Sequence, residues 1–193
     1  NFIALFASLT GAFLAWYLGP RLQNVLALIF AAGILVAPIT TATWLTPGRM
    51  APYIDEAHYS ILHRFHIWHF TGERIAEKPV LGWGIDAARR IPGGDTKLPS
   101  GGNVMGVHPH NASLQIWLEL GGLGALLTAI LVIALWRIIG ALTDPAARAG
   151  ATAMLLSALT VANLSFGIWQ TWWMATLTAV AVLWTVALRV SSK

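Results

Sequence analysis

Five apolar runs, separated at one point by a long polar stretch, constrain what this chain can fold into more than any other feature. Residues 2–18, 25–45, 114–139, 149–166 and 171–188 are predominantly apolar. A helix needs roughly 20 such residues to cross a bilayer, with about 17 as the lower limit. Hydrocarbon offers no partner for a backbone N–H or C=O, so runs of this kind are compatible with helices and not with open strands. The second run holds Pro38, an expected kink, and the third holds Gln115 and Glu119 near its start. Only residues 167–170 separate the last two runs, which together are far too long for one crossing and read as two helices. Composition agrees. Hydrophobic residues make up 56% of the chain and charged residues 10%, against about 25% charged in soluble domains. The expected fold is an all-α polytopic membrane protein of about five transmembrane helices, with a large loop that contains an amphipathic helix. The expected organisation is two helices over 1–45, the loop over 46–112 and three helices over 113–193.

The basic residues give an orientation. Arg21, Arg137, Arg148, Arg189 and Lys193 flank the runs, and all fall on one side if every run spans. That side is expected to be the cytoplasm, because short loops rich in Lys and Arg stay inside. The 46–112 loop then lies outside, in the periplasm of a Gram-negative cell. The net charge of +4 is thereby absorbed by topology, and no nucleic-acid partner is expected. With no cysteine in the sequence, neither a disulfide framework nor a thiolate site is available.

The chemistry has to lie in the loop, which holds all six histidines: His58, His63, His66, His69, His108 and His110. Residues 55–77 read as an amphipathic helix, with Asp55 as its N-cap and Ile61, Leu62, Phe65 and Trp68 as one apolar face. Arg64 and Trp68 stand four apart at the edge of that face, within touching distance. Residues 79–109, rich in Gly and Pro, read as a mobile loop. His63, His66 and His69 recur every third residue and spread around the helix, which disfavours a shared metal.

The order of four short motifs is more specific than any one of them. Arg64-Phe-His-Ile-Trp68 is followed by Pro79-Val-Leu-Gly-Trp-Gly84, then by His110-Asn-Ala-Ser-Leu-Gln115, then by Glu119-Leu-Gly-Gly-Leu-Gly124. Together, between two apolar runs, they resemble the O-antigen ligase and polymerase superfamily of the bacterial inner membrane. The motifs cover about a third of the chain, and the hydropathy around them matches the C-terminal half of that family. Asn1 is the first residue and no signal peptide is visible. The family's earlier spans and its second functional arginine are missing, so the chain is expected to be part of a longer enzyme.

The resemblance implies transfer of a glycan from an undecaprenyl-diphosphate carrier to the lipid A core, another glycan repeat or a protein serine. It implies an inverting reaction without metal, cofactor or nucleotide sugar, among membrane lipids. Arg64 and His110 are the implied catalytic residues. A diphosphate leaving group needs cationic donors, and arginine offers a planar fork that stays charged. His110 precedes an expected helix start, a natural anion site, and is suited to bind phosphate or to deprotonate an acceptor hydroxyl. Trp68, Asn111, Gln115, Arg89 and Arg90 are the expected substrate-binding residues. Ligation to lipid A core is favoured, with an exopolysaccharide or O-antigen polymerase next and a protein O-oligosaccharyltransferase third. A transporter component would predict ionisable residues deep in several runs, and the first, second and fifth have none.

The topology is directly testable. A cysteine introduced at Gly101 should react with an impermeant thiol reagent in intact spheroplasts, and one at Thr143 should not. The reverse pattern would refute the orientation.

Overall fold

The computed structural model describes residues 2–54, 59–98 and 101–191, with side chains described only as far as 187. Seven α-helices appear among these residues: α1 (Phe2–Leu18), α2 (Pro20–Thr43), α3 (Pro47–Met50), α4 (Tyr59–Glu77), α5 (Ala112–Gly140), α6 (Pro145–Leu164) and α7 (Thr171–Ser191). Two 3-10 turns, Ala51–Tyr53 and Ala87–Arg90, complete the regular structure. Each apolar run is a helix, and the last two are separate helices. By length and hydropathy α2 and α5 can cross a membrane, and α1 and the part of α7 over Thr171–Ala187 are shorter apolar stretches. The proposed cap Asp55, with Glu56, Ala57 and His58, lies outside the described residues. The chain divides into two compact units, Asn1–Ala31 with Ile130–Lys193, and Ala32–Ala129.

In the first unit, small residues let helices approach: Gly11 of α1 faces Leu156 and Thr152 of α6. Asp144 caps α6 by accepting from the N–H groups of Ala146 and Ala147, and Pro145 occupies the first helical turn, where its missing N–H costs nothing. Arg148, buried in that turn, would be unfavourable beside a helix N-terminus alone. Its guanidinium instead donates to the carbonyls of Ala15 at 3.4 Å and Leu142 at 2.9 Å. Ala15 belongs to the last turn of α1, where orphan carbonyls concentrate negative charge. Buried Gln23 of α2 donates to Thr152 Oγ1 at 2.9 Å, a side-chain bond of the kind that joins helices in apolar surroundings.

The second unit centres on a core of Ala37, Ile67, Ile75, Ala88, Ile91, Met105, Leu114 and Leu118. The buried stripe of α4 is Ile67, Thr71, Gly72 and Ile75. This differs from the expected face of Ile61, Leu62, Phe65 and Trp68, of which Ile61 is exposed and the others half-buried. The reason is steric. Gly72 sits against Pro38, Thr41 and Ala42 of α2, and small side chains at 71 and 72 bring the helices together where bulky aromatics would hold them apart.

Two interruptions organise this unit. Pro38 lacks an N–H, so it cannot bond the carbonyl four residues before it, that of Ile34. The indole N–H of Trp117 in α5 donates to that carbonyl at 2.7 Å. The second interruption is Gly121, whose φ of 63° breaks α5. There the 79–84 turn pairs with the helix: Trp83 N–H donates to Leu118 O at 2.8 Å, Gly84 N–H to Glu119 O at 2.9 Å, and Gly122 N–H to Pro79 O at 2.8 Å. A Cβ on either Gly82 or Gly121 would collide with the opposite backbone. The turn is also fixed to α4, because Trp83 Nε1 donates to Arg74 O at 2.8 Å and Lys78 Nζ stands 4.0 Å over the Trp83 ring.

Trp117→Phe should lower unfolding stability in detergent by about 0.5–2 kcal/mol by leaving the Ile34 carbonyl unpaired. In a Pro38→Ala background the N–H restored at position 38 takes that carbonyl, so the same substitution should cost less. Equal costs in both backgrounds would show that the indole does not serve the proline break.

Candidate functional site

Residues 94–98 and 102–105 pair through a short ladder. Met105 N–H donates to Gly94 O, Val104 N–H to Thr96 O and Leu98 N–H to Gly102 O. It is tied to α4 by His63 Nε2, 2.9 Å from Asn103 O. A carbonyl only accepts, so Nε2 carries the proton. Lys97 Nζ donates to Asn103 Oδ1 at 2.8 Å. The residues expected to form a loop are therefore irregular but cross-linked by backbone bonds.

His108, Pro109 and His110 form the corner leading into α5. Trp68 Nε1 donates to Pro109 O at 2.9 Å, which fixes this corner to the helix that carries Arg64. His110 has φ of 53°, a left-handed conformation that histidine adopts more readily than most residues. Its backbone N–H donates to His108 Nδ1 at 3.2 Å, and the two imidazole rings meet at 4.2 Å between centroids. Accepting at Nδ1 requires the neutral ring. Burial first, then the neighbouring His110, Arg89 and Arg64, push His108 down to about 4. Asn111 then caps α5, its Oδ1 accepting from Leu114 N–H at 3.0 Å.

A cleft of about 540 Å³ opens between these pieces, lined by Ser60, His63, Arg64, Ile67, Gly102, Asn103, Gly106 and His110. Ser60, His63, Arg64 and Ile67 occupy one face of α4 at the i, i+3, i+4, i+7 spacing. Arg64 and His110, distant in sequence, line the same space. Sequence reading did not single out Asn103 or Ser60, and it assessed His63 only as a metal ligand. The helical spacing around Arg64 was the available signal for Ser60 and His63.

The other expected residues lie around this cleft. Trp68 holds the Pro109 carbonyl and Asn111 caps the helix. Gln115 is buried and donates to Glu119 Oε1 at 3.1 Å, while Glu119 Oε2 accepts from Asp86 N–H at 3.1 Å. Arg89 and Arg90 line a neighbouring hollow of about 530 Å³, which shares Asn103 and Gly106 with the cleft. Arg89 Nε is 2.8 Å from Asp86 Oδ1. Among the described residues no three His, Cys, Asp or Glu side chains are grouped as metal ligands would be. The cleft lining includes both a guanidinium, Arg64, and an imidazole, His110, a pair of groups chemically suited to binding an anion beside a hydroxyl.

Comparison with known proteins places this geometry in context. A family model described as O-antigen ligase matches residues 2–129. A protein of Rickettsia conorii, provisionally named a polysaccharide ligase, is 30% identical over 163 residues, which are 82% of this chain and 39% of that protein. Its counterpart from Rickettsia bellii, named in the same way, is 30% identical over 174 residues, 88% of this chain and 42% of that protein. The chain thus spans about two fifths of the length of the curated relatives it matches. No solved structure matches it.

The buried His108 gives a pH dependence. Its ordinary value is 6.5 and its folded value about 4, so between them the unfolded chain binds a proton that the folded chain refuses. Stability is therefore full above about 6.5 and declines as the pH falls toward 4. His66, lowered by burial and by His63 and His69, adds in the same direction. Thermal unfolding from about pH 7.5 to about 4.5 should show a falling Tm. His108→Asn, which keeps an acceptor for the His110 N–H, should flatten the fall; an unchanged slope would contradict a neutral His108.

Proposed function

This chain belongs to the O-antigen ligase family, and on that footing we propose that the whole protein transfers a glycan from an undecaprenyl-diphosphate carrier to an acceptor. The favoured acceptor is the lipid A core. The observation that carries the reading is the convergence of Arg64 and His110 on one cleft, held together by the Trp68–Pro109 bond. An acceptor hydroxyl oxygen attacks the anomeric carbon, the bond from that carbon to the diphosphate breaks, and the configuration inverts. Arg64 neutralises charge on the departing diphosphate through paired N–H donors. His110 orients the hydroxyl and takes its proton. His108 holds the His110 backbone, and its neutral ring spares His110 a second adjacent charge. Arg89 and Arg90, in the adjoining hollow, attract anionic groups of the acceptor or of lipid. Asn111 caps the helix that follows His110, and Gln115, one turn further on, holds Glu119.

In this reading the chain has five membrane helices, 2–18, 25–45, 114–139, 149–166 and 171–188, in the bacterial inner membrane. The loop over 46–112 is periplasmic, between helix pairs and triples over 1–45 and 113–193. The exposed apolar side chains along α1, α2, α5 and α7 support a lipid environment for these helices. No step requires a metal, and glycan transfer by the whole protein should survive EDTA. Loss restored by one divalent ion would refute this.

The site is tested by complementation of a deletion strain, read as a polysaccharide ladder beside a membrane immunoblot. Arg64→Lys keeps the charge but loses the bidentate fork and should be strongly impaired. His110→Ala should cut turnover by about a hundredfold or more. Arg89→Ala should be milder, because Asp86 already shares that guanidinium. Normal ladders from both Arg64→Lys and His110→Ala would overturn the assignment. Ladders lost only in proportion to the protein would make the two residues structural.

A further inference from the structure

The break at Gly121 divides α5 into two stretches with different surroundings. From Ala112 to Leu120 no residue is exposed, and Leu114, Leu118 and Glu119 are wholly buried. Just past the break exposure begins and is apolar, with Leu123 at 53%, Leu126 at 48% and Leu127 at 60%. Lengths agree with this division. The helix has 29 residues, about 44 Å at 1.5 Å each, whereas a hydrocarbon core is about 30 Å thick. The part from Gly121 to Gly140 alone accounts for about 30 Å. Within the 114–139 membrane run, a crossing of this length would put Gly121 at the boundary on the loop side and leave the start of the run above the hydrocarbon.

The turn over 79–85 is pinned to that boundary by its backbone bonds to Leu118, Glu119 and Gly122. Its side chains are unusual for a polar loop: Val80 is 67% exposed, Leu81 71% and Ile85 67%. Val80 stands beside Leu123, whose N–H donates to Val80 O at 3.3 Å, so the exposed apolar residues of the turn begin where those of α5 begin. Cations border them. Lys78 lies over the Trp83 ring and Arg89 is exposed, a combination suited to headgroup phosphates above an apolar contact.

We propose that the 79–85 turn is a membrane-seated element, with Val80, Leu81 and Ile85 in the upper acyl region and Lys78 and Arg89 among the headgroups of an anionic bilayer. It rests on the reading of α5 as a membrane helix. The turn then fixes the height of the cleft over the bilayer, because it is joined both to α5 and, through Trp83, to the helix that carries Arg64.

The test uses the whole protein in phosphatidylglycerol-containing vesicles, with any cysteine outside this segment replaced by serine. Single cysteines at Leu81, Ile85, Gly102 and Leu127 carry an environment-sensitive dye. Probes at 81, 85 and 127 should be quenched by spin-labelled lipid and protected from aqueous iodide, and the probe at 102 should behave oppositely. Lipid quenching at 127 with iodide quenching at 81 and 85 would overturn the proposal and leave α5 in the membrane. Protection of 81 and 85 from both quenchers would mean that protein covers them, and would equally overturn it. Absence of lipid quenching at 127 would remove the membrane reading of α5, and the proposal with it.

Discussion

The loop unit depends on the exchange of backbone hydrogen bonds between the 79–84 turn and the break at Gly121. A helix interrupted in its interior leaves N–H and C=O groups without helical partners, and buried groups of this kind are expensive to strand. Here Leu118 and Glu119 give their carbonyls to Trp83 and Gly84, and Pro79 supplies a carbonyl to Gly122. Close approach of two backbones requires the absence of Cβ on both sides, which Gly82 and Gly121 provide. Once the turn is docked, Trp83 ties it to the end of α4, and Glu119 holds the Asp86 N–H that begins the Ala87–Arg90 turn. Two glycine-containing motifs that look like separate signatures in sequence are thus the two halves of one joint.

The cleft depends on a second connection of a different type. Arg64 and His110 belong to elements with no covalent reason to meet. The Trp68 indole brings them together by holding the Pro109 carbonyl, and the left-handed backbone at His110 turns the chain from that carbonyl into α5. His108 fills the space behind, neutral and bonded to the His110 amide. Charge in the cleft is therefore asymmetric: a permanent cation on one side, and on the other an imidazole whose nearest ring neighbour stays neutral.

Much of the helical layout was legible because apolar runs of this length have few alternatives. The boundaries of α1 match its run, and α7 begins where its run begins. The break in α5 was not legible, because Gly121 and Gly122 sit in an apolar stretch that also reads as an uninterrupted helix, and only pairing with a segment far away in sequence selects the broken form. The packing face of α4 was read only in part, Trp68 packing against the core while Ile61 is exposed, for a related reason. Hydrophobic periodicity favours large side chains, whereas the contact with α2 is made where Thr71 and Gly72 are small. Arg64 and His110 were singled out through the order of motifs. Asn103 carries no such signal, since its place beside His63 is set by the ladder over 94–105.

The Pro38 break has a consequence for synthesis. Trp117, which completes the unpaired Ile34 carbonyl, lies 83 residues further along the chain. At about 5–20 residues per second, the ribosome takes roughly 4–17 s to produce it. During that interval the Ile34 carbonyl lacks the indole that later closes it. Final closure of α2 awaits the emergence of α5, after the whole intervening polar segment. Synthesis of α2 and completion of its hydrogen bonds are thus separate events in time.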